Sequence, residues 1–278
     1  MRKYLVAIIQ MDSINSKEVN MTKACEFIDE AVAKGAKLIA FPENVDFMGD
    51  IVDGTVVPEV IPGYATQIFM AKAKEHNVFI NCGSIKEVTE DGDRQYNTSV
   101  MINNKGEVIA KYRKLHLFDV NIDGREILES ARNKPGKEIV NVETELGNFG
   151  LTICYDIRFP ELYRLLTLNG AQVIFTPANF ATTTGKDHWE TILKTRAIES
   201  GCYIVAAAQY GKKLSAKGTF NSFGSSLVID PWGTVIARAS ERPGVTMAEI
   251  DLDYLDRVRE MLPGLKNRRA DVYDISIK

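Results

Sequence analysis

The feature that most constrains this chain is a repeat within it. Residues 35–44, GAKLIAFPEN, recur as residues 170–179, GAQVIFTPAN, at an offset of 135. Residues 99–111, SVMINNKGEVIAK, recur as residues 226–238, SLVIDPWGTVIAR, at an offset of 127. Residues 78–80 and 202–204 fall at the corresponding place between them. Hydrophobic strands resemble one another by chance, so one match would carry little. Two matches in the same order, each with glycines and turn chemistry, point to a duplicated unit. Each copy alternates strand-like and helix-like periods, and a sheet built from such a unit has two apolar faces to cover. Two copies therefore predict an α/β protein: two mixed sheets packed face to face with helices outside, a four-layer α/β/β/α sandwich with an internal pseudo-two-fold. The 278 residues read as two diverged copies fused into a single domain over 1–278, with a polar tail over about 263–278.

Element signals fill in the copies. Residues 4–11 are a rich apolar run. Ser16 opens a segment through Gly35 with Met21, Cys25, Ile28 and Val32 at helical spacing. Strands follow over 37–41 and 78–82, with a helix over 63–76 and a hairpin 97–103/107–112 turning at Asn104-Lys105-Gly106. Residues 113–137 are polar and turn-rich without a clear period, and a loop of that length is more often functional than idle. Beyond it lie strands near 139–144, 149–154, 172–176 and 202–208 and helices over 160–169 and 187–200. A hairpin over 224–238, a strand over 244–250 and a helix over 252–262 complete the pattern.

Composition excludes several classes of function. Lys plus Arg total 34 against 37 for Asp plus Glu, a net charge of −3, so neither a basic footprint for nucleic acid nor an acidic tail is present. No stretch approaches the ~18 apolar residues of a membrane span. The opening MRKYLVAIIQMD has a basic start, but its apolar run is short and lacks a small-residue cleavage site, so it reads as a strand. Cys25, Cys82, Cys154 and Cys202 are widely spaced without a CxxC pair, which fits reduced thiols in the cytoplasm.

Functional side chains of α/β proteins gather where strands end and loops begin, and three polar residues stand at such places. Cys154, in GLTICYDIRFPEL, lies on a strand-to-helix turn like a nucleophile elbow, with the Tyr155 N–H free to donate into a pocket. The polar cluster Asp156-Ile157-Arg158 sets it apart from Cys25, Cys82 and Cys202, which sit in apolar periodic stretches and read as buried thiols. Glu43 follows the strand LIAF and the stiff Pro42. Its equivalent in the other copy is Ala178, while the flanking Pro and Asn persist. A charge present in one copy only suggests a task beyond structure. Lys114 ends the hairpin strand, where a solvated lysine is the ordinary alternative. His116 and His188 lack metal-ligand spacing and read as structural.

Together, FPEN (41–44), YRKLHLFD (112–119) and GLTICYDIRFPEL (150–162) resemble the three signature blocks of the nitrilase, or carbon–nitrogen hydrolase, superfamily. The resemblance continues through 184–209, 228–238 and 265–274 and so covers essentially the whole chain. It implies the same α/β/β/α sandwich, usually dimerised through helices near the nucleophile and the C-terminal tail. It places the family's Glu–Lys–Cys triad on Glu43, Lys114 and Cys154 and a further family glutamate on Glu129. The implied reaction is cysteine-dependent amide hydrolysis to acid plus ammonia through a thioester, with Lys114 and the Tyr155 N–H as oxyanion donors and without metal or organic cofactor.

The CYDIRFPE block is similar to amidases of the ω-amidase and deaminated-glutathione amidase branch, whereas nitrilases proper carry Trp-Glu where this chain has Tyr155-Asp156. In that branch an arginine binds a substrate carboxylate, and it maps to Arg158 with Phe180 and Thr184 beside it. An ion pair of Arg158 with Asp156 or Glu161 is the structural alternative. The implied substrate is a small carboxylate-bearing ω-amide of the deaminated glutathione or α-ketoglutaramate type. The stretch VDFMGD (45–50) follows either side of the branch only loosely. An N-carbamoyl amino acid amidohydrolase and a catalytically silent binding module of the same fold are the other readings.

Overall fold

The computed structural model describes residues 2–49, 57–90, 92–122, 124–215 and 218–277. The first half runs β1 (Lys3–Gln10), α1 (Lys17–Ala33), β2 (Leu38–Ala40), α2 (Tyr64–His76), β3 (Phe79–Asn81), β4 (Ile85–Val88), β5 (Gln95–Ile102), β6 (Val108–Arg113), β7 (Asp119–Ile122) and β8 (Arg125–Leu128). Then follow β9 (Asn141–Thr144), β10 (Gly147–Leu151), α3 (Pro160–Leu168), β11 (Val173–Phe175), the single turn α4 (Thr182–Thr184), α5 (Glu190–Ser200) and β12 (Tyr203–Ala206). The chain closes with β13 (Tyr210–Ser215), β14 (Gly218–Phe223), β15 (Leu227–Ile229), β16 (Val235–Arg238), β17 (Gly244–Asp251) and α6 (Leu252–Met261).

Two sheets carry the repeat. The first has the order β17-β1-β2-β3-β5-β4, with β6 also on β5; the second has the order β16-β15-β12-β11-β10-β9. In each, three central strands are parallel (β1, β2, β3 and β10, β11, β12) and the flanking strands antiparallel. The hairpins β5/β6 and β15/β16 each shift register, between Met101 and Ile102 and between Val228 and Ile229. Those two bulges are separated by the same offset as the repeated sequence, so the duplication extends to an irregularity of the backbone.

Period-two alternation sorts the strands' side chains between layers. Val6, Ile8, Leu38 and Ala40 face the second sheet and join a core with Phe149, Leu151, Val173 and Phe175. Ala7, Ile9 and Ile39 point the other way, against Met21, Ala24 and Ile28 of α1 and Ala65, Phe69 and Ala73 of α2. On the far side Leu162 and Leu166 of α3 and Leu193 and Ala197 of α5 cover the second sheet. Each fully buried large side chain in these layers contributes about 1.5–3 kcal/mol. The result is the four-layer α/β/β/α sandwich that the repeat predicts. The N-terminus of α1 is capped by Ser16, which accepts from the Val19 N–H.

Three local expectations fail. Residues 113–137 hold the two-stranded ribbon β7/β8 and a single helical turn at Glu129–Ala131. A second ribbon, β13/β14, occupies the region before the 224–238 hairpin. The helix expected over 187–200 begins at Glu190, preceded by a π turn over Gly185–Trp189. There the Gly185 backbone packs so closely on Phe223 that an added Cβ would lie 2.5 Å from the ring. Among the described residues no helix is long and apolar enough to cross a membrane.

Candidate active site

Cys154 opens a tight helical turn, Cys154–Arg158, three residues after β10 ends. Its φ is +49°, a left-handed conformation that costs a β-carbon-bearing residue of order 1–3 kcal/mol and persists only where surroundings over-determine it. Those surroundings are visible. The Cys154 N–H donates to the Pro177 carbonyl at 2.8 Å. The fully buried Asp156 holds the turn from below. One of its oxygens accepts from the Ile153 N–H (2.8 Å) and the Tyr112 hydroxyl (2.7 Å). The other accepts from the His116 N–H (3.1 Å) and lies 2.7 Å from His116 Nδ1. His116 stacks on Phe159 with centroids 3.6 Å apart. It is therefore a brace of the turn, the structural role its isolated position predicts.

Glu43 follows β2 and Pro42, at the C-terminal edge of the first sheet. Gly83 lets two backbones meet there: its φ is +66°, and a Cβ on it would fall 2.0 Å from the Pro42 carbonyl oxygen. Lys114 Nζ donates to Glu43 Oε1 at 3.0 Å and to Glu129 at 2.9 and 3.2 Å. Asn97 Nδ2 donates to Glu43 Oε1 at 2.9 Å, and the Asn179 N–H donates to Glu43 Oε2 at 3.0 Å. Asn179 is the repeat equivalent of Asn44, so corresponding loops of the two copies meet at the carboxylate. Glu129 also accepts from the Phe118 N–H (2.7 Å) and Asn133 Nδ2 (3.1 Å). Gln209 Nε2 secures the base of the loop, donating to the Glu43 carbonyl at 3.0 Å and to Ser13 Oγ at 2.8 Å.

These groups are nearly dry: Glu43 is 4% exposed, Lys114 2% and Cys154 8%. Burial pushes the Cys154 thiol well above its ordinary pKa and the Glu43 carboxylate pushes the same way, outweighing the Lys114 ammonium and the Asn179 backbone N–H. Both effects favour the protonated thiol of Cys154 beside the Glu43 carboxylate. Burial by itself would lower Lys114, but Glu43 and Glu129 together hold it well above the usual lysine value. Burial likewise raises Glu129, and the Lys114 charge with the Phe118 N–H overcomes this, leaving the carboxyl below its ordinary range.

The remaining predicted residues have the following surroundings. The Tyr155 N–H donates to no protein acceptor among the described residues, and the Tyr155 ring stands edge-on to Phe118 and Phe159. The Arg158 guanidinium lies 5.6 Å from the Phe180 ring centre, 5.9 Å from that of Tyr155, and 3.2 Å from His188 Nδ1. Among the described residues Arg158 closes no ion pair with Asp156 or Glu161, and Asp156 gives both oxygens to the turn. Thr184 ends α4, its hydroxyl 3.4 Å from the Ala181 carbonyl. Of the stretch 45–50, Asp50 lies outside the described residues; Val45 and Met48 are tied by backbone bonds to Ser84 and Ile14. Among the described residues no group of three His, Cys, Asp or Glu side chains is placed to hold a metal ion. The sequence assigns no role to Asn97, Asn179 or Gln209, and it marks Asp156 only as part of the polar cluster beside Cys154. Neutral amides and a buried acid have no motif of their own, although the constant Asn of the repeat pointed toward Asn179.

A two-sheet sandwich with a buried Glu–Lys–Cys cluster at the meeting of its halves defines a carbon–nitrogen hydrolase, and the chain belongs to that family, whose pattern matches residues 5–260. It is a hydrolase acting on amide carbon–nitrogen bonds. More particularly, it is 41% identical over 272 residues to the deaminated glutathione amidase of Synechocystis, covering 96% of this chain and 99% of that one. It is 34% identical to the omega-amidase NIT2 of Homo sapiens, covering 100% of this chain and 99% of the relative. The solved Caenorhabditis elegans NitFhit protein superposes with a TM-score of 0.89 at 37% identity, over 100% of this chain and 68% of that one.

Proposed function

We propose that Cys154 is the nucleophile, Glu43 the general base and acid, and Lys114 with the Tyr155 N–H the oxyanion donors of an amidase. The observation that carries this is the convergence of the Glu43 carboxylate, the Lys114 ammonium and a protonated, buried thiol contributed by both copies. Glu43 takes the thiol proton as sulfur attacks the amide carbonyl, since only the thiolate is nucleophilic. Negative charge gathers on the carbonyl oxygen, where each donor is worth about 10²–10³ in rate. Glu43 returns the proton to the departing amine, leaving a thioester on Cys154, and then activates the water that hydrolyses it. Glu129 holds Lys114 in position and balances its charge.

The substrate on this reading is a small ω-amide bearing a carboxylate, of the deaminated glutathione or α-ketoglutaramate type. Arg158, unpaired with any protein carboxylate among the described residues, offers the planar fork that suits bidentate capture; the Phe180 ring centre lies 5.6 Å from it, and Thr184 is assigned to the same subsite on the family resemblance. The chain acts as a single domain over 1–278 and as a homodimer. Ile198 on α5, Trp232 in the turn between β15 and β16, and Leu262, Val272 and Tyr273 toward the C-terminal tail are all about half exposed or more, apolar side chains that a second copy would cover. Four free cysteines fit a reducing cytoplasm. Intact-mass trapping of an acyl adduct with candidate ω-amides, with Cys154→Ala as control, tests the assignment. No adduct, no turnover and a Cys154 inert to iodoacetamide would overturn it, and carbon dioxide released from carbamoyl amino acids would replace it with the carbamoylase reading.

A further inference from the structure

Lys213 is a buried cation that the proposed reaction does not use. It lies on β13 of the second ribbon, and only 2% of its side chain is exposed. Its Nζ donates to Asp12 Oδ1 at 2.6 Å, to the Ser13 carbonyl at 3.1 Å and to Gln209 Oε1 at 3.3 Å. An ammonium has three donors, and all three are taken here. The Asp12 side chain is 43% exposed, so an ion pair made for stability alone could have formed at the surface. Lys213 instead reaches inward to two neutral acceptors, and burial lowers its pKa against the pull of Asp12. Holding a cation in such a place costs free energy, so the inward reach calls for a role beyond the ion pair.

The Gln209 side chain joins this cation to the loop of Glu43. Its Oε1 faces the ammonium and accepts from the Ser13 N–H at 3.0 Å. A cation and an N–H both demand the oxygen end of the amide. Nε2 is thereby turned to the Glu43 carbonyl at 3.0 Å, the Asn44 carbonyl at 3.4 Å and Ser13 Oγ at 2.8 Å. Ser13 Oγ in turn donates to the Val45 carbonyl at 3.0 Å. The backbone from Glu43 to Val45 is thus gripped residue by residue, and it needs the grip. Asn44 has a φ of +56°, a left-handed conformation that its repeat equivalent Asn179 does not adopt. A residue with a β-carbon stays in that region where its surroundings hold it. The same ribbon also reaches the other end of Glu43. Ser222 of β14 donates to Asn179 Oδ1, and the Asn179 N–H donates to Glu43 Oε2 at 3.0 Å.

Resting on the reading of Glu43 as the base, we propose that Lys213 is a positioning residue for the reaction. By orienting the Gln209 amide it holds the turned backbone at Asn44, and so aims the Glu43 carboxylate at Cys154 and the departing amine. The ribbon β13/β14 then clamps the base from its backbone through Lys213 and from its carboxylate through Ser222. The partners of Lys213 are Asp12, Ser13 and Gln209 and none of the reacting groups. Its loss should therefore slow acylation and leave substrate affinity in place.

The test follows acylation of Cys154 and turnover with deaminated glutathione in Lys213→Met, Gln209→Ala and the double variant. Lys213→Met should lower kcat by about 10- to 100-fold, as a small displacement of a reacting group does, with KM little changed. Gln209→Ala should lower kcat at least as much, and adding Lys213→Met to it should cost nothing further. A wild-type kcat in Lys213→Met, or a double variant whose loss is the product of the two single losses, overturns the proposal. If Lys213→Met does not fold, Gln209→Glu decides. It keeps a partner for Lys213 but sets an oxygen against the Glu43 carbonyl, and an unchanged kcat there overturns the proposal equally. Hydrogen–deuterium exchange over residues 41–48 reads the loop without catalysis. The Asn44 and Val45 N–H groups bond to Ser84 in the wild type and should exchange faster in Lys213→Met. Faster exchange in that variant, beside a wild type that forms no adduct and turns nothing over, refutes the hydrolase assignment alone. Turnover by the wild type, with kcat and exchange both unmoved by Lys213→Met, refutes the role of Lys213 alone.

Discussion

Replacing Asp156 by Asn should loosen the turn under Cys154, by an amount that follows from counting donors. Both Asp156 oxygens are fully used: Ile153 N–H and Tyr112 hydroxyl on one, His116 N–H and Nδ1 on the other. An amide offers one oxygen and one NH₂. The Tyr112 hydroxyl can rotate and the His116 ring can change tautomer to accept from the NH₂, but a backbone N–H cannot. Whichever way the amide points, either Ile153 or His116 loses its acceptor in a site with no solvent. An orphaned buried donor costs about 1–3 kcal/mol, and the surviving bonds, no longer to a charge, lose about 1 kcal/mol more. A total of about 2–4 kcal/mol corresponds to a fall in Tm of roughly 5–15 °C for a chain of this size. Differential scanning calorimetry measures it, and the rate of Cys154 alkylation by iodoacetamide reports on the turn itself. An unchanged Tm together with an unchanged alkylation rate would refute the assignment of Asp156 as the brace.

Other substitutions probe separate features. Glu43→Gln should slow acylation in single-turnover mass spectrometry by about 10²–10⁴-fold while the protein still folds; retention of full activity would remove Glu43 from proton transfer. Gly83→Ala would place a methyl group 2.0 Å from the Pro42 carbonyl at a φ of +66°. It should displace Glu43 and lower kcat/KM by about 10²-fold, with a parallel loss of Tm. Asp46 carries a pH signature, because its folded-state carboxyl is raised from 3.8 to about 6 by burial. The fold keeps a proton that the unfolded chain has lost, so this group makes stability decline as pH rises from about 4 to about 6, by about 3 kcal/mol. Asp46→Asn should abolish that decline in a series of Tm measurements across the interval. Glu129 works in the opposite sense. Its lowered pKa contributes stability that is present above the ordinary carboxylate range and lost as pH falls through its folded value.

The sandwich was legible because duplication leaves two records of one pattern, and the shared bulge at Met101 and Val228 shows how literal those records are. Glu43 stood out against Ala178 for the same reason. The ribbons β7/β8 and β13/β14 were hidden because they lack counterparts in the other copy, and four to six residues of alternation carry little signal without a core to face. Asn97 and Gln209 escaped notice on different grounds. Each acts through hydrogen bonds to backbone or carboxylate atoms distant in sequence, as Gln209 does to the Glu43 carbonyl across 166 residues, and only tertiary structure creates such pairs.

On the ribosome β1 emerges long before its partner β17. Eight consecutive pairs join them, from Lys3 with Asp251 to Gln10 with Gly244. Until β17 is made, one side of β1 is an unpaired edge of the sequence KYLVAIIQ, the kind of apolar strand that recruits other chains. The first copy therefore cannot finish its own sheet during synthesis, although it contains the loop that presents Glu43. A chain truncated before Gly244 should accumulate as aggregate, and the nascent protein depends on rapid completion or on a chaperone to shield that edge.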